Sequence, residues 1–131
     1  MTDSGLITVA SHGYDVHQAE GLDPDPIRQG AMQREGETET EYVEYLTNDA
    51  LHMQALLGEA GKFFSYPEDK HDLRCLVILH RAGVFATVSG NGSHTLLIRG
   101  LPQCLFDMPR QLVTEDMTGA ELVALLEADG P

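Results

Sequence analysis

The spacing of hydrophobic residues predicts one long helix near the middle of the chain. Between about 39 and 64 they recur at steps of three and four, which places them on one helix face: Tyr42, Leu46, Ala50, Met53, Leu57 and Ala60. Thr38 and Glu41 have the spacing of a capping box, in which each side chain accepts a hydrogen bond from the other residue's free backbone N–H. Pro67 sets a limit on how far the helix extends.

The stretch 73–99 predicts a sheet. Three apolar runs alternate with two turn sequences: 73–80, Arg81-Ala82-Gly83, 84–89, Asn91-Gly92 and 95–99. The first run is almost continuously apolar, which is typical of a strand covered on both faces. The turn sequences favour hairpins, so we expect an antiparallel meander. Its register would place Cys75, Ser89 and His94 on one face.

The remaining segments complete the predicted fold. Short apolar runs at 6–10 and 111–114 are typical of strands, whereas the Gly- and Pro-rich segment 11–38 predicts an irregular surface region with one helical turn near 26–34. A second capping box, Thr118 with Glu121, starts a helix at about 119–128. We therefore expect a single α+β domain, in which an antiparallel sheet of about four to five strands is packed by the helices at about 39–64 and 119–128.

Length and cysteine content narrow the class of protein. A chain of 131 residues that is 42% hydrophobic can bury one core. Its two cysteines, Cys75 and Cys104, lie among apolar neighbours, which indicates free thiols in a reducing compartment. The first residues do not resemble a secretion signal, and no apolar run reaches the length of a membrane span. We expect a cytoplasmic location.

Charge indicates the kind of partner. The chain has 21 Asp and Glu against 8 Lys and Arg, a formal net charge of −13. Such a domain repels nucleic acid and anionic membranes and attracts basic proteins. We expect another protein with a basic surface as the partner, without direct nucleic-acid or membrane binding, and a homodimer stays open. An acidic surface that serves only solubility is the alternative.

Two regions are candidates for protein binding. The first is the acidic start of the long helix, with Glu35, Glu37, Glu39, Glu41 and Glu44. The second is an apolar loop between Pro102 and Pro109, with Leu105, Phe106 and Met108. Proline restraint lowers the entropy lost when such a loop docks. The competing interpretation, which we favour for this loop, is that its apolar residues cover the sheet.

Two residue groups could support chemistry. His12, Asp15 and His17 offer imidazole and carboxylate ligands on one loop, but their spacing matches no established metal site. Cys75, Ser89 and His94 would join a nucleophile to an imidazole if the predicted register holds. Because neither group is complete, we assign no catalytic residue, metal or cofactor.

The favoured function is therefore a small acidic protein-binding module, of the inhibitor, immunity, chaperone or adaptor type, without catalysis. Two alternatives stay open. One is a nucleic-acid mimic that blocks the basic groove of a DNA- or RNA-binding protein. The other is a small metal- or ligand-binding enzyme that uses one of the two histidine-containing groups.

Overall fold

The sheet of the protein is parallel and small. A computed structural model describes residues 2–5, 7–17, 28, 30–90 and 96–128. Within these ranges, three parallel strands lie in the order β1 (Phe63–Ser65), β2 (Ala86–Ser89) and β3 (Met108–Pro109). The prediction of an antiparallel sheet of four to five strands is wrong.

Helix α1 confirms the predicted central helix, with a shorter extent. It spans Glu39–Leu57 and continues as a 3₁₀ helix, Gly58–Lys62, so the predicted end near 64 is too late. The Thr38–Glu41 capping box forms as predicted. Three members of the predicted stripe, Tyr42, Leu46 and Ala50, are buried in the core.

Helix α2 spans Leu73–Arg81, where the first strand of the meander was predicted. Asp72 begins the helix by accepting a hydrogen bond from the Cys75 N–H at 3.0 Å. Gly83 follows its end with φ 93°, a helix-terminating conformation, so Arg81-Ala82-Gly83 is no hairpin loop. The apolar run folds as a helix because its buried residues follow helical spacing: Cys75, Ile78, Leu79 and Ala82.

With α2 between them, β1 and β2 form a parallel strand–helix–strand unit, since parallel neighbours need a crossover connection. The other predicted strands are also corrected. Residues 7–10, 96–98 and 111–114 have no strand structure, and Ser11, directly after the first of these segments, makes a parallel bridge to Phe64. The predicted helical turn near 26–34 is absent from the described residues 28 and 30–34. The Asn91-Gly92 turn lies outside the described residues.

The core lies between α1, α2 and the sheet. Buried residues from both helices meet Phe64 and Tyr66 beside β1, and Val16 and Ala31 from the N-terminal segment close the cluster. No helix in the described part of the chain is long and apolar enough to cross a membrane.

Helix α3 spans Gly119–Ala128, as predicted, and begins with the Thr118–Glu121 capping box. Unlike α1 and α2, it packs broadly against no other helix or strand of the described chain. Leu122 and Leu125 are only half-buried, and Val123 is 54% exposed.

Candidate functional site

A buried polar cluster holds the loop that precedes β3. Strand β2 points two hydroxyls, Thr87 and Ser89, to one side, and both residues are fully buried. Ser89 Oγ donates to Asp107 Oδ1 at 2.6 Å, while Thr87 Oγ1 accepts from the Asp107 N–H at 2.7 Å. His71 Nε2 lies 3.0 Å from the same Oδ1. We call these four residues the Asp107 clamp.

The His71 ring is fixed on both sides of the clamp. Its Nδ1 lies 3.0 Å from the Asp69 carbonyl oxygen, which can only accept, so Nδ1 carries a hydrogen. The Tyr66 ring stacks on His71 with centroids 4.2 Å apart, which restricts rotation of the imidazole.

Backbone strain is concentrated around this cluster. Three described residues other than glycine have positive φ: Glu68 (57°), Asp69 (53°) and Asp107 (57°). Asp69 is held by the Gly90 N–H at 2.7 Å and by Arg110 Nη2 at 2.9 Å. A Cβ at position 90 would lie too close to Asp69 Oδ2, so any larger residue there would displace the Asp69 carboxylate from these contacts. Strained residues persist only where surrounding contacts fix them, and they occur often at functional sites.

The loop fixed by the clamp forms one wall of an apolar groove. Three cavities of about 550, 450 and 440 Å³ follow one another along 101–107. The first two share His80, Pro102 and Phe106, and the last two share Phe85 and Pro102, so the cavities form one continuous groove. Its exposed large apolar residues are Phe63, Leu73, Val77, Phe85, Leu97, Ile98 and Leu101. Asp107 lines the same end of the groove as Leu73.

Two arginines lie at the ends of the groove. Arg81 lines the 550 Å³ cavity and Arg99 the 440 Å³ cavity. Four other arginines form ion pairs: Arg28, Arg34, Arg74 and Arg110. Within the described ranges, Arg81 and Arg99 have no acidic partner, although the chain has a large excess of carboxylates. A cation left without a partner on an apolar surface can bind an anionic group of a ligand.

The predicted acidic surface is less available to a partner than its charge indicates, because two of its five glutamates, Glu37 and Glu41, make polar contacts within the fold. Glu37 is buried and pairs with the equally buried Arg28, whose guanidinium stacks 3.8 Å from the centre of the Tyr45 ring. Glu41 closes the helix cap, and the hydrogen bonds from Thr38 lower the pKa of its carboxyl group.

The other acidic candidates are exposed. Glu39 lies 3.6 Å from the Arg74 guanidinium, whereas Glu35 and Glu44 have no ion pair among the described residues. Glu35 lies with Glu41 along one shallow depression, and Glu39 with Glu44 along another. The five glutamates therefore do not converge on one surface.

Of the three apolar candidates, two line the groove and one does not. Leu105 and Phe106 line the groove, at the 440 Å³ cavity and at the other two cavities respectively. Phe106 also meets the His80 ring edge-on at 5.2 Å between centroids. Met108 lies in β3, half-buried, and lines none of these cavities.

The predicted metal ligands lie near one another without forming a ligand set. His12 and His17 have ring centroids 6.0 Å apart, but His12 Nδ1 contacts the Ser65 carbonyl oxygen and His17 contacts Glu68. The Asp15 carboxylate accepts a hydrogen bond from the Tyr45 hydroxyl at 2.8 Å. No group of three or more potential ligands is placed to hold a metal in the described chain.

The predicted row of Cys75, Ser89 and His94 depended on the wrong register. Cys75 lies in α2 and is buried against Tyr42 and Asp72. Burial raises the pKa of its thiol to about 11, so the thiolate nucleophile is disfavoured at neutral pH. Ser89 belongs to the Asp107 clamp, and His94 lies outside the described residues.

Sequence reasoning missed Asp107 and His71, and also the two groove arginines. His71 and Asp107 are 36 positions apart in the chain, so no local spacing joins them. The only available signal was the alternation of apolar residues and hydroxyls in Ala86–Ser89, which indicates that one face of the strand has polar contacts.

Comparisons of the chain with protein-family models, with curated proteins and with solved structures find no significant match.

Proposed function

We propose that this chain is a protein-binding module whose apolar groove receives an apolar segment of a partner protein, flanked by acidic residues. The observation that supports it is the groove itself, where half-exposed side chains such as Phe85 and Ile98 lie between two arginines without acidic partners. Exposed apolar patches of this kind mark binding sites in folded proteins.

In this proposal, the net charge and the local charges of the groove act on different steps of binding. The excess of carboxylates still favours approach of a partner that is basic overall, because long-range attraction depends on the whole charge distribution. The local contact would depend on Arg81 and Arg99, which favour acidic residues beside the inserted segment. A cytoplasmic location stays part of the proposal and is supported by the free thiols of Cys75 and Cys104.

Fluorescence anisotropy with two labelled peptides tests the proposal. Both peptides have the same central run of Leu and Phe, and the flanking residues are glutamates in one and lysines in the other. We expect the acidic peptide to bind more tightly, and the double variant R81E/R99E to reverse the order. Equal binding of both peptides to both proteins, or no binding at all, would contradict the proposal.

A second candidate function has its own observation. Asp107 Oδ1 is occupied by Ser89 and His71, whereas Oδ2 has no hydrogen-bond partner among the described residues, and Asp107 lines the 550 Å³ cavity. Such a carboxylate can accept a hydrogen bond from a small apolar molecule with a hydroxyl group.

Titration with cyclohexanol, followed by amide chemical shifts, tests this candidate. We expect saturable shifts around the cavity in the wild type and their loss in Asp107→Asn. Glu115→Gln, an exposed change outside the cavity, serves as the control. Shifts that persist in Asp107→Asn would exclude a role for the carboxylate.

A further inference from the structure

We infer that the apolar groove of one copy of this chain receives helix α3 of a second copy. This inference rests on the proposed function, because it names the occupant of the same groove. A second copy has the same net charge of −13, so the contact depends on apolar burial and local charges and not on long-range attraction. The basis of the inference is that, within the described part of the chain, no residue after Asp107 lines the apolar groove and no other helix or strand packs broadly against the apolar helix α3.

Helix α3 has the composition of a buried helix. Between Gly119 and Ala128, only Glu121 and Glu127 are polar side chains, so apolar residues surround most of the helix. Helices of this composition are normally enclosed by other elements. Here Val123 is 54% exposed and the helix packs broadly on no described element. Within the described part of the chain, no other helix or strand therefore covers the apolar surface of α3.

The length of α3 leads to the same requirement. The helix has 10 residues, and isolated helices shorter than about 12–15 residues are marginal in water. Its capping box satisfies backbone donors at the start but contributes no apolar burial. Packing against an apolar surface is what stabilises a helix this short.

Charge determines which surface suits α3. From Gln111 to the end, the sequence has no Lys, Arg or His and five acidic residues: Glu115, Asp116, Glu121, Glu127 and Asp129. Among the described residues, an arginine without an acidic partner lies at each end of the groove, Arg81 and Arg99, and Asp107, which contacts His71, also lines the Arg81 end. An apolar helix with acidic residues therefore complements an apolar groove with basic ends.

The geometry favours exchange between two copies. No described residue after Asp107 lines the groove, so α3 does not occupy the groove of its own chain in this structure. If each copy inserts α3 into the other, both grooves and both helices are covered by one reciprocal contact. Such exchange closes as a two-fold dimer and adds no further copies.

Sedimentation equilibrium of the full chain over a range of concentrations tests the inference. We expect a dimer that dissociates on dilution, and at least a tenfold weaker dimer for Val123→Asp, which places a charge on the apolar surface of α3. The matched control is Leu112→Asp, since Leu112 is 78% exposed and lies outside both α3 and the groove. This control should leave the dimer unchanged.

A charge exchange tests which surfaces meet. R81E/R99E should weaken the dimer, and adding E121R/E127R in the same chain should restore it, because each contact then has opposite charges again. Restoration cannot follow from damage to folding. If R81E/R99E leaves the dimer unchanged, or if the fourfold variant stays as weak as the double variant, the inference is wrong.

The outcomes separate this inference from the proposed function. A chain that is monomeric at all concentrations, yet binds the acidic peptide in its groove, overturns the exchange of α3 and leaves the proposed function standing. A monomer that binds neither peptide contradicts both. A dimer that is insensitive to Val123→Asp also overturns the exchange, because a different surface then joins the copies.

Discussion

The acidic start of α1 and the apolar loop between Pro102 and Pro109 are the two regions that the sequence indicates for binding. The structure uses the helix start differently from the groove that this loop borders. At the helix start, Glu37 neutralises the buried Arg28 and Glu41 caps the helix. In the groove, Phe85 and Leu101 remain exposed, and Arg81 has no acidic partner within the described chain. Glu37 and Glu41 are therefore satisfied within the fold, whereas the groove residues are not.

The number of charges on a surface therefore does not locate a binding site. A carboxylate that already pairs with a buried guanidinium has little to offer to a partner, because breaking that pair would leave a buried charge uncompensated. Groups that the fold leaves without partners are better candidates. The four predictions below test the two surfaces on that basis, beginning with the largest expected effect.

Glu37→Ala should be the most destabilising change at the acidic helix start. It removes the carboxylate facing the buried Arg28, and breaking a buried ion pair from one side costs about 3–5 kcal/mol of unfolding free energy. Urea denaturation measures the loss. Glu35→Ala, an exposed neighbour, should change stability by no more than about 0.5 kcal/mol. If the two variants are equally stable, the buried pair does not have the role given to it here.

Asp107→Asn should weaken the groove wall. Asparagine can still accept the Ser89 hydrogen bond, but it loses the charge that faces His71, so we expect a loss of about 1–3 kcal/mol. Denaturation gives the stability, and anisotropy with the acidic peptide gives the effect on binding, which should also fall. Glu115→Gln is the matched control. If Asp107→Asn is less stable but binds the peptide with unchanged affinity, the clamp does not determine the binding surface of the groove.

The carboxyl group of Asp49 on α1 should give a pH dependence of opposite sign to that of Glu41. Burial raises the pKa of Asp49, although its carboxylate accepts hydrogen bonds from the Tyr14 and Asp15 N–H groups. Above about pH 4 the unfolded chain loses the Asp49 proton, whereas the folded chain retains it up to its raised pKa. The Asp49 contribution to stability therefore falls as the pH rises from about 4 through the pKa of the folded state.

Unfolding free energies of the wild type and Asp49→Asn, measured from about pH 4 to neutral, isolate that contribution. Relative to the variant, the wild type should lose stability as pH increases. A difference between the two proteins that is constant with pH, or that grows in favour of the wild type, would show that burial does not dominate the pKa of Asp49.

Phe85→Ser should have the smallest effect on stability. Phe85 is 52% exposed and meets the Phe63 ring edge-on, so its replacement should lower the unfolding free energy by about 1 kcal/mol, while peptide binding falls by about an order of magnitude. Val43→Ser, an exposed apolar position on α1 outside the groove, is the control for both measurements. If both variants lose binding, the peptide binds exposed apolar residues at any position, and the groove is not a specific site.

The helices show which parts of the fold could be predicted. α1 and α3 were predicted correctly because their sequences contain capping boxes at Thr38 and Thr118, which act locally. α2 was assigned as a strand because a continuous apolar run is compatible with either a buried strand or a buried helix. Asp72 before the run and Gly83 after it were the local signals that favour a helix.

The sheet followed from that assignment. Once α2 is read as a strand, its neighbours form hairpins, and an antiparallel meander results. A helix between β1 and β2 instead supplies the crossover connection that a parallel pair needs. The remaining strand, β3, has only 2 residues, Met108–Pro109, and no periodicity can be detected over such a length.

The candidate site could be predicted only in its local part. Leu105 and Phe106 were named because a proline-restrained apolar loop is visible in the sequence, and both line the groove. The Asp107 clamp joins His71, which precedes α2, to two residues of β2 and to the loop before β3. It therefore exists only after folding. Likewise, whether an arginine has an acidic partner depends on tertiary contacts.

Chemical-shift mapping with the acid-flanked apolar peptide tests the central claim most directly. Labelled full-length protein is titrated with the peptide, and amide shifts are followed at both surfaces. We predict the largest shifts at groove residues, such as Phe85, Ile98 and Leu101, with the amides of Glu37 and Glu41 unchanged. Shifts concentrated at the start of α1, with an unchanged groove, would contradict the account.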